Sequence, residues 1–476
     1  MGSLENYVQS ASSVLLDGLS YNLPPTANYI IDRRSVQFFT SSAGTFTAQG
    51  VRNFAITMTS ENGFADLHTC RLAFRIKNAA ADNGAADAAG AGGGNGVVHR
   101  LKPKGSGPWA FISRLRIFAG GQLIEDLYPY CRVHEMFYQL TPKDYKAQLG
   151  IYSLGAQHGD TPSDPLEVFS IANGDTVTVS LQLLSGLLQS GKFWPLRFSP
   201  IRIEVELANP GECCVTGQGA VIQDRVAAGG GPGPVQEEFT PHYEIQDARI
   251  HCDIITLDTG LQEQFNKLLL NNGVLTLHGN QYITTSQAIL GDNPLVSVTR
   301  GMSRLRQIMW SFERNRDAAA NQTLSVCNDF VHPLRNQGIR TGTLTDRKNY
   351  ECWWQIGPKR LPEQPLRYVN EYWAHLNKVF GLSWDREEPL DVTWQEYTSD
   401  KHIGAIDCER ALGVGFTGLN TKASGDLLTV QFNGLRMSAD WGGPAPAAQI
   451  IVRQLHIVLV AEMIIEIRQT GTTVLE

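Results

Sequence analysis

Four groups of residues have types and spacings that could do chemistry. Gly186-Leu-Leu-Gln-Ser-Gly191-Lys192 carries the glycine and lysine spacing of a phosphate-binding loop. Such a loop turns backbone N–H groups toward phosphates at the start of a helix, with a following Ser or Thr on Mg²⁺. Here Phe193 has no hydroxyl, and Trp194-Pro195 stand where the helix must begin, so the segment reads as a turn. Trp353, Trp354, Trp373 and Trp384 could stack on sugar, and Asp385, Glu387 and Glu388 could supply the paired carboxylates of a glycosidase. The competing reading is core aromatics beside a solvated acidic turn, because Trp373 shares a helical stripe with Val369, Leu376 and Phe380. None of the eleven histidines forms an H-x-H or H-E-x-x-H pair, so His134 (followed by Glu135) and His375 read as surface or satisfied core residues. The eight cysteines include no CxxC pair and read as free thiols, with Cys213 and Cys214 as small buried hydrophobes. There is no G-x-S-x-G elbow, and Asn321-Gln-Thr323 is a glycosylation sequon with no secretory signal to support it. The expectation is no catalytic residue, no cofactor and no metal site.

The elements that would position these residues are strands. In 476 residues, 42% are hydrophobic, only 18% are charged and 46 are glycine, a balance of sheet and turn, not of long helices. Apolar residues alternate with polar ones at Leu72/Phe74/Ile76, Leu115/Ile117, Val177/Val179/Leu181/Leu183 and Ile201/Ile203/Val205/Leu207, as half-buried antiparallel strands require. Gly120-Gly121 and Asn173-Gly174 suit the positive φ of hairpins. Further strands are expected at 245–257, 275–283, 428–432 and 450–467, and helices at 129–140, 259–271 and 366–380. Thr259 and Gln262 have capping-box spacing, and Gly273 follows the end of that helix.

Residues 79–107 and 209–240, rich in Ala, Gly and Pro, read as long exposed loops, and the second marks a domain boundary. The expected organisation is an N-terminal arm over 1–30, a first β-sandwich over 31–235 and a second over 236–476. Two tetrapeptides anchor a repeat: Ser113-Arg-Leu-Arg116 recurs as Ser303-Arg-Leu-Arg306, and Leu196-Arg-Phe-Ser199 as Leu435-Arg-Met-Ser438.

Net charge is −7, and the first basic residue is Arg33, so a basic arm that packages nucleic acid is not expected. The most apolar run, Leu455 to Ala461, holds His456 and closes at Glu462, far short of a membrane helix. Neither a signal peptide nor a myristoylation motif fits the first residues.

Four passages carry a family resemblance: Tyr29-Ile-Ile-Asp-Arg-Arg-Ser35, Phe111 to Leu127 with Tyr130 and a helix after it, Trp194-Pro-Leu-Arg-Phe-Ser-Pro-Ile-Arg-Ile-Glu-Val-Glu-Leu207, and the β-rich segment 447–468. With them the chain resembles the double jelly-roll major capsid proteins of DNA viruses, which include those of polinton-like viruses, virophages and large protist viruses. The resemblance implies an all-β chain of two tandem eight-stranded jelly rolls with short helices in the connections. It implies a structural subunit of the virion shell, not an enzyme, that forms homotrimeric, pseudo-hexameric capsomers. Neighbouring capsomers and minor capsid or penton proteins are the implied partners, and an internal membrane could meet the arm. Residues 79–107, 209–240 and 313–345 would be outward towers or subunit contacts. A minor capsid or vertex protein of the same fold, and a carbohydrate-binding or carbohydrate-cleaving sandwich using the 353–388 cluster, are the alternatives.

Overall fold

The computed structural model describes residues 30–41, 44–61, 63–80, 97–142, 171–222, 235–271, 273–314, 325–334, 348–380, 390–411, 415–422, 427–435, 452–469 and 471–475. The arm, the run 81–96, the sequon and Trp384 with Asp385, Glu387 and Glu388 lie outside them.

The alternating segments form strands with their apolar positions inward. In the first sandwich, one sheet runs β1 (Ile30–Phe39), β14 (Tyr243–Leu257), β4 (Gly63–Asn78), β10 (Phe193–Pro195). Short β2 (Thr45–Phe46) pairs with β14, and β9 (Thr176–Gln182) pairs with β4. The facing sheet runs β3 (Asn53–Met58), β11 (Ile201–Leu207), β6 (Ile112–Ala119), β7 (Gln122–Leu127). In the second sandwich the sheets are β15 (Leu275–Ala288), β22 (Val452–Arg468), β17 (Leu305–Arg314), β20 (Gly404–Asp407) and β16 (Leu295–Val298), β21 (Leu428–Asn433), β18 (Lys348–Ile356), β19 (Lys359–Tyr368). A terminal strand, β23 (Gly471–Leu475), extends the first of these beside β22.

Counting the eight core strands of each sandwich in chain order, with β10 as the sixth of the first, both give one sheet in the order 1-8-3-6 and a facing sheet in the order 2-7-4-5. That double arrangement is the jelly roll. A helix follows the fifth strand in each: α1 (Tyr130–Leu140) after β7 and α3 (Val369–Val379) after β19. Between the sandwiches lies α2 (Thr259–Leu270), capped by the Asp258 carboxylate, which accepts from the Gly260 N–H at 3.2 Å. The cap is therefore one residue before the expected Thr259. The C-terminal end is closed by Gly273, whose N–H reaches the Leu268 carbonyl at 2.9 Å.

Several expectations are corrected. The repeat is real in topology, but its tetrapeptide anchors are not equivalent. Ser113–Arg116 lies on a fourth strand and Ser303–Arg306 at the start of a third. Leu196 precedes a seventh strand, whereas Leu435 follows one. The strand Tyr243–Leu257, assigned to the second unit from the sequence, hydrogen-bonds to β4 and β1 of the first. Residues 97–101, 217–222 and 235–239 are strands, not loops. Strands β12 (Gly217–Ile222), β13 (Val235–Phe239), β5 (Val97–Leu101) and β8 (Ile171–Ala172) make a small separate sheet. Asn173-Gly174 is a turn, with Gly174 at φ +75°, but it joins β8 to β9 in different sheets. Gly120-Gly121, at φ +57° and +84°, is the expected two-residue hairpin between β6 and β7. Residues 366–368 complete β19, so the third helix starts at Val369.

Buried apolar residues of both sandwiches form one continuous cluster. Strand β22 explains why. Along it every residue from Leu455 to Met463 is buried. A strand covered on only one face would alternate, so the run Leu455–Ala461 reflects a core on one side and the first sandwich on the other.

Candidate functional site

The seam between the sandwiches gathers the buried polar residues of β7, α1, β15, β17 and β22. Arg132 of α1 is its centre. Its guanidinium donates to Ser311 Oγ at 2.9 and 3.1 Å, to the Phe312 carbonyl at 3.0 Å and to the Val326 carbonyl at 2.9 Å. It also lies 4.5 Å from the centre of the Phe330 ring. Burial lowers its pKa from the ordinary arginine value, while the charges of Glu313 and Asp329 raise it. Residues 325–334, part of a stretch expected to form an outward tower or a subunit contact, are packed here: Cys327, Asp329, Phe330 and Val331 are all buried.

Glu125, at the end of β7, is the second anchor. Its carboxyl takes hydrogen bonds from Ser185 Oγ and from the Gly186 N–H at 2.9 Å on its own side, and from the Tyr282 N–H of the second sandwich at 3.4 Å. Burial pushes its pKa up to about 7, against the pull of those donors. Next to it the Gln281 amide donates to the Ile124 carbonyl at 2.7 Å, and the Tyr128 N–H donates to Thr284 Oγ1 at 3.1 Å. The Phe137 ring meets Tyr282 edge-on at 5.4 Å.

A third group has the connectivity of a hydrolase triad. Ser286 Oγ is 2.7 Å from His456 Nδ1, and His456 Nε2 is 2.8 Å from Glu313 Oε2. Three neighbouring strands place them: Ser286 faces His456 across β15 and β22, and His456 faces Ser311, two residues before Glu313. Acyl transfer also needs room for a substrate and donors converging on its oxyanion. The cavity beside Ser286 measures about 70 Å³, against ~300 Å³ or more for ligand sites. The relay therefore ties three strands together beneath the seam. No spacing in the sequence signals it, since its members lie on three different strands.

The other candidates fall apart spatially. In the Gly186–Lys192 segment, Gly191 takes φ +64°, and Phe193-Trp194-Pro195 is a strand, so no helix end faces a phosphate. Trp354 is fully buried beside Trp310 (5.9 Å between rings), whereas Trp353 lies on the opposite face of β18 under Arg360. Trp373 packs edge-on against Tyr397 at 4.9 Å. His134 stacks on Trp109 at 4.3 Å, its Nε2 is 3.3 Å from the Gln182 carbonyl, and burial pushes its pKa down to about 4. Glu135 accepts from the Trp109 indole at 2.6 Å. Burial lowers the pKa of half-buried His375. All eight cysteines are free and buried; burial and adjacent Cys214 push the Cys213 thiol well up. Among the described residues no cluster of His, Cys, Asp and Glu could hold a metal, and no helix is long and apolar enough to cross a membrane.

No protein-family model matches the chain, and no curated protein matches it. Solved structures do. PBCV-1 VP54, fitted into a cryo-EM reconstruction of the virophage Sputnik, is 10% identical and aligns over 96% of this chain and 99% of its own, at a TM-score of 0.57. The Faustovirus major capsid protein aligns over 97% and 94% at 8% identity and a TM-score of 0.55. A chain of the Sputnik virophage structure aligns over 97% and 92% at 9% identity and 0.54. At these identities the likeness is one of fold: two jelly rolls in tandem, matched from end to end.

Proposed function

We propose that the chain is a viral major capsid protein, a structural subunit whose trimers present six jelly rolls as a pseudo-hexagonal block of an icosahedral shell. The observation that carries this reading is the duplicated strand order, fused through a buried seam and matched over nearly its whole length to capsid subunits. A shell tile must transmit load between neighbours without flexing at its own middle, and the Arg132 and Glu125 contacts fix the two sandwiches for that purpose. Closed symmetry then lets three rigid pairs make a ring. We place the division between units after Leu257, since β14 completes the first sandwich. Neighbouring capsomers and minor capsid proteins would be its partners, and an inner membrane would meet the arm if one is present.

The test is the solution mass with negative-stain imaging of the same peak. A particle near three times 52.4 kDa, about 157 kDa, with a hexagonal outline is the expected result. A monomer at all concentrations would overturn it. Copy number in purified virions separates a major from a minor capsid role.

A further inference from the structure

Residues 325–334 form a strap across the seam. The first half is held by the first sandwich. Ser325 Oγ donates to the Lys104 carbonyl at 3.4 Å, the Cys327 thiol donates to the Cys131 carbonyl at 3.6 Å, and Arg132 grips the Val326 carbonyl and the Phe330 ring. The second half is held by the second sandwich. Arg314 of β17 binds the Asp329 carboxylate through its backbone N–H at 2.8 Å and its Nε at 2.9 Å. Beyond Asp329 the strap pairs in parallel with residues 399–402. The His402 N–H donates to the Phe330 carbonyl at 2.8 Å, and the His332 N–H donates to the Ser399 carbonyl at 2.8 Å.

This pairing sets two histidines side by side. The His332 and His402 rings are 4.3 Å apart, edge to face, and both are fully buried. Each uses a ring nitrogen as an acceptor. The Trp310 indole can only donate, and it donates to Tyr350 Oη at 3.2 Å, which leaves the tyrosine hydrogen for His402 Nε2, 2.7 Å away. The Leu334 N–H donates to His332 Nδ1 at 3.0 Å. A protonated imidazole has no accepting nitrogen, so charging either ring breaks its bond.

The groups packed against the pair offer no charge to offset a proton. Phe312 of β17, Tyr350 of β18, Tyr372 of α3 and Tyr397 wall it in, and burial keeps the three phenols neutral. Cys352 of β18 is a buried thiol whose pKa is pushed well up. The carboxylates of these elements are already engaged: Asp329 and Asp400 with Arg314, Glu396 with Lys401, Glu313 with His456, and Glu371 with the first N–H groups of α3. Burial, and next the charge of His332, hold the His402 pKa well below the ordinary 6.5, against a hydrogen bond to the Tyr397 backbone.

We propose that His332 and His402 are an acid-operated latch, which holds the strap 325–334 closed while both rings are neutral and releases it on protonation. The open strap takes up protons near pH 6.5 and the closed one only well below, so closure is fully favoured above 6.5 and weakens as pH falls through it. The latch does not depend on the shell reading. In a shell it would loosen each tile at its middle.

The experiment is hydrogen exchange read by mass spectrometry on the purified full chain, expressed as protection relative to the intrinsic exchange rate at each pH. Each ring should lower the protection of 325–334 roughly thirtyfold between about pH 7.5 and 5.0, the ratio set by an open-state pKa near 6.5. Protection of β22 in the same samples should change by less than about threefold. His402→Gln keeps a carbonyl that can accept from Tyr350 and should remove one share of the fall; His332→Gln added to it should flatten the profile. Protection of 325–334 that stays within about threefold over this range would overturn the proposal, and so would a fall shared equally by β22, a comparison that needs no variant. A wild-type fall that persists undiminished in the double variant would also overturn it, because another group would then be the sensor.

Discussion

Truncating Arg132 should loosen the two sandwiches from each other, and the size of the effect follows from its contacts. The side chain is 2% exposed and spends four hydrogen bonds on the second sandwich, from Ser311 to Val326. Hydrogen bonds to a charged group contribute about 1.5–3 kcal/mol each, but four on one guanidinium do not add. Removing one partner of a buried charged network costs about 3–5 kcal/mol. Arg132→Ala should therefore cost about 4 kcal/mol. Unfolding entropy near 2.1 cal/mol/K per residue over 476 residues is about 1 kcal/mol/K, so the midpoint of a single transition should fall by about 4 °C. Differential scanning calorimetry at fixed protein concentration is the assay. The wild type should give one peak whose van't Hoff and calorimetric enthalpies agree, and the variant a lower peak that broadens or splits. Arg132→Met restores the volume but not the donors, so it should lie between the two. A midpoint within about 1 °C of wild type, with one unbroadened peak, would refute the idea that this arginine couples the sandwiches.

The remaining expectations use the same seam. Glu125 has a folded pKa near 7, above the ordinary 4.5, so its folded form binds the proton more tightly. Its contribution is fully present below about pH 4.5 and is lost as pH rises through 7, by about 3 kcal/mol, and urea titrations at several pH values should show Glu125→Gln flattening that fall. Gly186→Ala should open the seam, because the new Cβ meets the Asn280 carbonyl, and faster amide exchange in β15 would report it. Ser286→Ala should lower stability by about 1 kcal/mol. A fluorophosphonate should not label Ser286 in the wild type, and labelling would show that the relay with His456 is catalytically open.

Period-two alternation made the strands legible, because a sandwich strand buries one face only: Ile201 to Leu207 reads directly as β11. Gly120-Gly121 was equally legible, since few residue pairs tolerate two positive φ values in succession. What failed was everything that depends on partner choice. Tyr243–Leu257 looks like a strand in either unit, and only its register with β4 assigns it to the first. The tetrapeptides misled because a surface pattern such as Ser-Arg-Leu-Arg suits any half-buried strand. The seam was invisible for the same reason: Arg132, Glu125, Ser286, Glu313 and His456 are spread over 331 positions, the difference between 456 and 125, and none is spaced for chemistry.

One sign of the seam was present in the sequence all the same. The eighth strand of each sandwich occupies the same place, yet β14 alternates in burial along most of its length while β22 is buried without a break from Leu455 to Met463. Identical topology with unequal apolar patterning means that one copy has a second face covered, and here the cover is the first sandwich. The two jelly rolls are thus equivalent in fold and unequal in surface. Three such chains would make a ring with two kinds of contact, within a chain and between chains, each repeated three times, not six equal ones. A six-cornered tile built this way has alternate corners that differ chemically, so neighbouring tiles and vertex proteins could recognise its orientation. That inequality originates in the covered face of β22 and in the buried guanidinium bonded to β17 beside it.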